Sequence, residues 1–393
     1  VISGQRGQAL VIVLLLTTAV FIIGGAGLAL SSTARKNAVQ EVHQKKAYYI
    51  AEAGVERALL KLKTDPTWRD NEGDDLRVEY AGGKIESVMV ADADESMDIG
   101  KLVEIESTGT FRSARSTLWV TALVQSPLDV FGGFTILPDE EESDFVFTGN
   151  VTITNATGSN GTGRVILRGN LTLSGNSKVD ADLYISGQLT EKNKIEGSLF
   201  EYYSDIPPFP SVDEGILRRK ALERNHFYSG EQNVKFGEKG IDISDLDQGD
   251  IYFVEGDMTI SGTYGGGPAI IAATGNINID DNLKMASDDG NLLVLVCLGD
   301  EKVVRIKKGN AEVEALIISH GGFDINGNAI LLGATLAKHL VKPDNKLNGT
   351  LTIECEPELV MRSLSSFIPE FFASEVKIKS WQESYGGSLS STT

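Results

Sequence analysis

Two cysteines in 393 residues, Cys297 and Cys355, are too few for a disulfide scaffold. Cys297 lies in the apolar run Leu292-Leu293-Val294-Leu295-Val296-Cys297-Leu298 and reads as a small core residue, while a single bridge to Cys355 stays open. The four histidines, His43, His226, His320 and His339, show no metal-site spacing, and no nucleophile motif of the GxSxG type is present. No cofactor is therefore expected. Basic residues are scarce: 36 Lys and Arg against 55 Asp and Glu leave a formal charge of −19, which argues against a nucleic-acid partner. What is abundant is apolar surface. At 41% apolar residues the chain can build a substantial core in two or three domains.

The most telling absence is local. From Gln8 to Ala34 no side chain is charged, and Ala9 to Leu16 leads through Val20-Phe21-Ile22-Ile23 to Leu28-Ala29-Leu30. A bilayer core needs about 20 apolar residues as helix, so residues 8–34 are read as a retained transmembrane half-helix. The helical pattern continues from Arg35 to Leu62. Val39, Val42, Tyr49, Ile50, Ala53 and Leu60 follow helical spacing, and Val55, Ala58, Leu59 and Leu62 open a second stripe. Pro66 closes the element, giving a helix over 8–63 on the order of 80 Å long.

Two motifs flank the apolar run: Gln5-Arg6-Gly7-Gln8-Ala9-Leu10-Val11 before it and Ala47-Tyr48-Tyr49-Ile50-Ala51-Glu52-Ala53-Gly54-Val55-Glu56 after it. Together they resemble the N-terminus of type IV pilins, in particular the PilX-like minor pilins, over about the first 60 residues. The resemblance implies a leader, residues 1–7, cut by prepilin peptidase between Gly7 and Gln8, with methylation of the new N-terminus. It also implies other pilin subunits as partners, a cytoplasmic-membrane stage with one span and the N-terminus inside, and later an extracellular filament or cell-surface location. Charge flanks do not support that orientation, because Arg6 is outweighed by Arg35, Lys36, Lys45 and Lys46. Major pilins carry glutamate at the fifth mature position. Here it is Ile12, which is more similar to minor pilins and to the K-type minor pseudopilin that occupy a filament tip. Gly24, Gly25 and Gly27 would allow close helix approach during assembly.

Beyond the helix the period changes to that of strands. Leu76 to Tyr80 and Lys84 to Val90 read as a hairpin, and Lys101 to Ser107 pairs with Ser116 to Val124 through Gly109 and Arg112. Residues 64–126 are thus expected to form a small antiparallel sheet against the helix. The loop 92–98 gathers Asp92, Asp94 and Asp98, a weak calcium candidate, although a solvated acidic loop is the simpler reading.

Residues 127–385 change texture again. Short Val/Ile/Leu/Thr strands recur with Gly-Asn or Gly-Asp steps at Gly149, Gly169, Gly256, Gly275 and Gly327, and with further glycines at Gly187 and Gly349, with gaps of 20, 18 and 19 residues within the series. This recurrence predicts an all-β parallel β-helix, or solenoid. An interruption over 202–230 holds the rigid Ile206-Pro207-Pro208-Phe209-Pro210 and a capped helix with Leu217, Ala221 and Leu222 on one face, packed on the solenoid flank. Phe367 to Phe372 reads as an apolar cap, and 386–393 as a disordered tail.

The fold class expected is therefore an α+β pilin-like module, a long helix with an antiparallel sheet, followed by a β-solenoid. The function expected is a minor pilin or pseudopilin-like subunit, not an enzyme, displaying the solenoid for adhesion or a tip or priming role, with a surface or glycan ligand. The rival is a membrane-anchored β-helix enzyme acting on polysaccharide. Its candidate groups are Asp280 and Asp281, Arg164 and Arg168, and Arg305, Lys307 and Lys308; adjacent acids on a strand face opposite ways unless a bulge intervenes. Sequons at Asn150, Asn155, Asn160, Asn170 and Asn348 read better as solenoid corners than as glycan acceptors.

Overall fold

The uncharged run and the amphipathic stretch behind it form one unbroken helix, α1 (Gln5–Thr64), in the computed structural model, which describes residues 5–93, 97–139, 143–155, 163–236, 249–265, 269–286, 291–325, 327–341, 345–364, 367 and 374–385. Its 60 residues make it about 90 Å long. It starts inside the expected leader, because Gln5 and Arg6 are good helix formers and Gly7 alone does not stop a helix.

Four antiparallel strands follow, β1 (Val78–Tyr80), β2 (Gly83–Asp92), β3 (Lys101–Phe111) and β4 (Ala114–Gln125). Ile85, Val88, Val90, Val103, Ile105, Leu118 and Val120 alternate onto one face and bury Ala47, Ile50, Ala51, Val55, Ala58, Leu59 and Leu62 of α1. The turn between β3 and β4 is made by Arg112, at φ 53°. Gly109 is not part of it. It lies within β3, where an added Cβ would stand 2.4 Å from both Ala47 O and Ala51 N. Gly54 faces Ser107 in the same way, and the Ser107 hydroxyl donates to Ala51 O at 2.7 Å. Small residues on both sides thus set a close helix-to-sheet approach.

The solenoid is made in two runs. The first comprises β5 (Gly133–Ile136), β6 (Asp144–Asn155), β7 (Arg164–Leu167), β8 (Asn170–Leu173), β9 (Lys178–Asp180), β10 (Asp182–Ile185), β11 (Leu189–Thr190) and β12 (Leu199–Phe200). The Pro-rich strap and α2 (Glu214–Glu223) then lead to the second run. This comprises β13 (Phe227–Ser229), β14 (Gln232–Phe236), β15 (Ile251–Glu255), β16 (Met258–Tyr264), β17 (Ile270–Ala273), β18 (Ile277–Met285), β19 (Leu293–Cys297), β20 (Val303–Ile306), β21 (Ala311–Ile325), β22 (Asn328–Leu340) and β23 (Lys346–Cys355). All pairings within and between the runs are parallel, and the nineteen strands belong to one sheet.

Stacking order departs from chain order. The last rung of the second run seats on the first rung of the first: Thr335 to Ala337 pair with Phe134 to Ile136, and Lys346 to Cys355 pair with Val146 to Asn155. The chain therefore enters the solenoid in the middle, builds outward to β12, crosses along the flank and builds back from the far end. One side reads β12, β10, β7, β5, β22, β21, β19, β17, β15, β13 in space. Its segments, such as Leu293–Cys297 and Ile270–Ala273, are buried throughout because the solenoid interior lies on one face and α2, Ile206 and α3 (Pro357–Leu364) cover the other. Phe367 packs in that flank layer with Leu359, Val360 and Leu364 and so does not cap a solenoid end; residues 368–372 and the tail 386–393 lie outside the described residues. In α2, capped by Asp213, Leu217 and Ala221 are buried but Leu222 is 53% exposed.

The glycine series also resolves differently. An added Cβ on Gly327 would meet Gly309, on Gly349 Gly327, on Gly149 Gly349 and on Gly175 Gly149, one corner continuous across the junction of the runs. Gly169 and Gly187 belong to another corner. Rungs are not uniform: paired residues Leu183 and Leu199 are 16 positions apart, Gly133 and Arg164 31. Asn150 and Asn176, and Asn310 and Asn328, form amide ladders at 3.1 and 3.0 Å, so these asparagines are corner residues.

After α3 the chain returns to the first module. The final strand, β24 (Glu375–Tyr385), pairs antiparallel with β4 and completes a five-stranded sheet. The expected boundary at 127–385 is corrected accordingly: residues 375–385 belong to the helix-bearing sheet, since without them β4 would be an open edge.

Candidate assembly surface

The outer half of α1 is exposed from Leu10 onward. Large apolar residues from Leu10 to Leu30, Ile12 among them, are between 57% and 81% exposed, and this is a helix long and apolar enough to cross a membrane. Gly24, Gly25 and Gly27 have nothing within 4 Å of an added Cβ, so the helix carries an open, narrow stretch there. The side chains of Gln5 to Ala9 lie outside the described residues, Gln8 at the expected cut included.

The inner half of α1 has two apolar faces. One packs on the sheet, led by Ala47, Ile50, Ala51, Val55 and Ala58. The other holds Val39, Val42, Tyr49 and Leu60, between 46% and 65% exposed, a row that spacing alone could not separate from the packed face. The packed face is the one rich in Ala and Gly, because only small residues permit the approach seen at Gly109. The free row continues the exposed apolar surface of the outer half.

Of the acidic loop's candidate carboxylates, Asp92 and Asp98 lie among the described residues, and each has its own surroundings. Asp92 is held by Arg69, whose Nε donates at 2.7 Å, and Asp94 lies outside the described residues. Asp98 faces the solenoid: burial first, then the Asp98 charge, pushes the Tyr184 hydroxyl up to about 12. Among the described residues no group of three or more His, Cys, Asp or Glu is placed to hold a metal. The modules are joined at this side by Gln125 Nε2 donating to Asp205 O at 2.5 Å and by the Lys379–Asp205 ion pair.

The solenoid candidates separate. The strand pairing shifts between Ile260 and Gly262, so residues 280–282 bulge and both Asp280 and Asp281 are exposed. Each meets a lysine of the next rung, Lys307 at 3.4 Å and Lys308. Arg305 Nε donates to Asp324 at 2.9 Å, and Arg168 donates to Pro207 O at 2.9 Å and Pro138 O at 3.2 Å, holding the strap. Arg164 lies on β7 beside Asp129, whose carboxyl burial holds above its usual range. Cys297 and Cys355 are free and buried, with no bridge between them.

No family model and no curated protein matches this chain. Among solved structures it is similar to the competence-associated pilin ComZ from Thermus thermophilus, at 13% identity over 87% of this chain and 98% of that one, with a TM-score of 0.36, a likeness too slight to carry an argument.

Proposed function

We propose that the chain is a minor-pilin-type subunit of a type IV pilus or related filament, of the PilX-like kind. The observation that carries this is α1, whose exposed apolar half continues without a break into a half packed on a five-stranded sheet, with an apolar row still free on the other side. In this reading prepilin peptidase cuts between Gly7 and Gln8 and the new N-terminus is methylated. The helix spans the cytoplasmic membrane once, N-terminus inside, until assembly moves it into a filament outside the cell. Gly24, Gly25 and Gly27 let a neighbouring helix close in, and Ile12, lacking a carboxylate, suits a terminal or occasional subunit better than a repeating one. The solenoid is displayed as an adhesive, spacing or tip module. Its role is not catalytic; the engagement of Asp280 and Asp281 by lysines of the next rung supports this. The test is the N-terminal residue of the protein from its native cells, read by intact mass and peptide sequencing. A methylated Gln8 is expected; an intact leader, or a cut beyond Leu30, overturns the reading.

A further inference from the structure

The face of the five-stranded sheet turned away from α1 carries a depression of about 380 Å³, within the range of small-ligand sites. Strand register builds it. One cross-strand row is Met89, Glu106, Trp119 and Gln382, and the next is Ala91, Glu104, Thr121 and Ser380. The first row is of large side chains and the second mostly of small ones, so the second forms a floor beside a wall. Crossing four strands, the floor is about 14 Å long. The Ser380 hydroxyl donates to Thr121 Oγ1 at 3.0 Å, which leaves hydroxyl acceptors along it.

The chemistry of the lining selects a ligand. Trp119 offers a partly exposed indole in the wall, a surface on which the C–H face of a sugar ring or an ammonium group packs. Glu106 is its direct partner on β3, and Glu104 stands two residues along on the same face; neither is in an ion pair among the described residues. Two unpaired carboxylates beside an indole repel acidic sugars and attract a protonated amine, while Gln382 and Thr121 suit ring hydroxyls. We infer that this groove, at Glu104, Glu106 and Trp119, binds a glycan bearing free amino-sugar units. The inference stands on the sheet and holds whether or not the chain assembles into a filament.

The experiment uses the full chain in detergent micelles at about 150 mM salt, where long-range attraction to the acidic protein is screened. The probe is a short, fully deacetylated glucosamine oligosaccharide, with its N-acetylated counterpart and an oligogalacturonate as comparisons. Calorimetry gives affinity, and the indole N–H resonance of Trp119 reports the place. The amine sugar is expected to shift that resonance and to bind at least tenfold more tightly than the acetylated one, with no binding of the galacturonate. Trp119→Ala is expected to weaken binding at least tenfold. The Glu104→Gln, Glu106→Gln double variant, which keeps side-chain size at one exposed and one half-buried position, should remove the preference for the amine. Absence of binding to the wild-type chain, equal affinity for the acetylated sugar, or binding that persists in Trp119→Ala overturns the proposal.

Discussion

Gly109 shows how much one missing side chain decides. A methyl there would press on the α1 backbone at Ala47 and Ala51, atoms that no rotamer change can move aside. Gly109→Ala is expected to cost about 1–3 kcal/mol, as overpacking does, read as a lowered denaturation midpoint. The two thiols make a second residue-scale case. Burial pushes Cys297 up to about 11 and Cys355 up to about 12, and Cys297 also donates to Gly275 O at 3.3 Å. Almost no thiolate exists at pH 8, so a thiol reagent should modify neither cysteine in the native protein and both in denaturant. Adding reductant should leave the thermal midpoint unchanged. Cys297 was legible as a core residue from its apolar run. The place of Gly109 was not, because a glycine in a turn and a glycine under a helix look alike until the partner is known.

At the scale of elements, the strap explains why the solenoid can be discontinuous. Arg168 holds its backbone, and Phe209 sets an edge on His320, with ring centroids 5.1 Å apart. His320 Nε2 is buried without a hydrogen-bond partner among the described residues. Burial, and next the charge of Lys338, hold this histidine below its usual pKa, against the opposing pull of Asp300 and Asp139. Its neutral form is thus favoured by folding. The stability this gives is complete above pH about 6.5, the unfolded value, and is lost as pH falls below it through the folded value. His320→Gln should flatten the pH dependence of the unfolding midpoint on the acid side of 6.5, measured by denaturant titration. Proline spacing made the strap and α2 readable as an excursion. The partners that fix it, on rungs far apart in the chain, were not.

At the scale of the whole molecule, the two modules are interleaved in sequence. The chain leaves the five-stranded sheet after β4, makes the entire solenoid and returns as β24 to pair with β4. Deleting residues 375–393 should expose the β4 edge and drive association of the purified protein, seen as a shift to larger species on size exclusion, although the deletion lies outside the solenoid. If the solenoid held all of 127–385, the same deletion would leave the first module unaffected.

The sequence alone determined the local terms: an uncharged run long enough for a bilayer, a 3.6-residue period behind it, alternation in the sheet, and Gly-Asn corners between short strands. Each depends on neighbours within a few positions, through backbone geometry and burial of one face. Tertiary structure alone decided which face of α1 is packed and which is free, the seating of β22 and β23 on β5 and β6, and the return of β24. Every parallel rung offers the same backbone hydrogen bonds to any other, so strand chemistry cannot specify its neighbour. That choice falls to side-chain fit between residues hundreds of positions apart, and it exists only once the chain is folded.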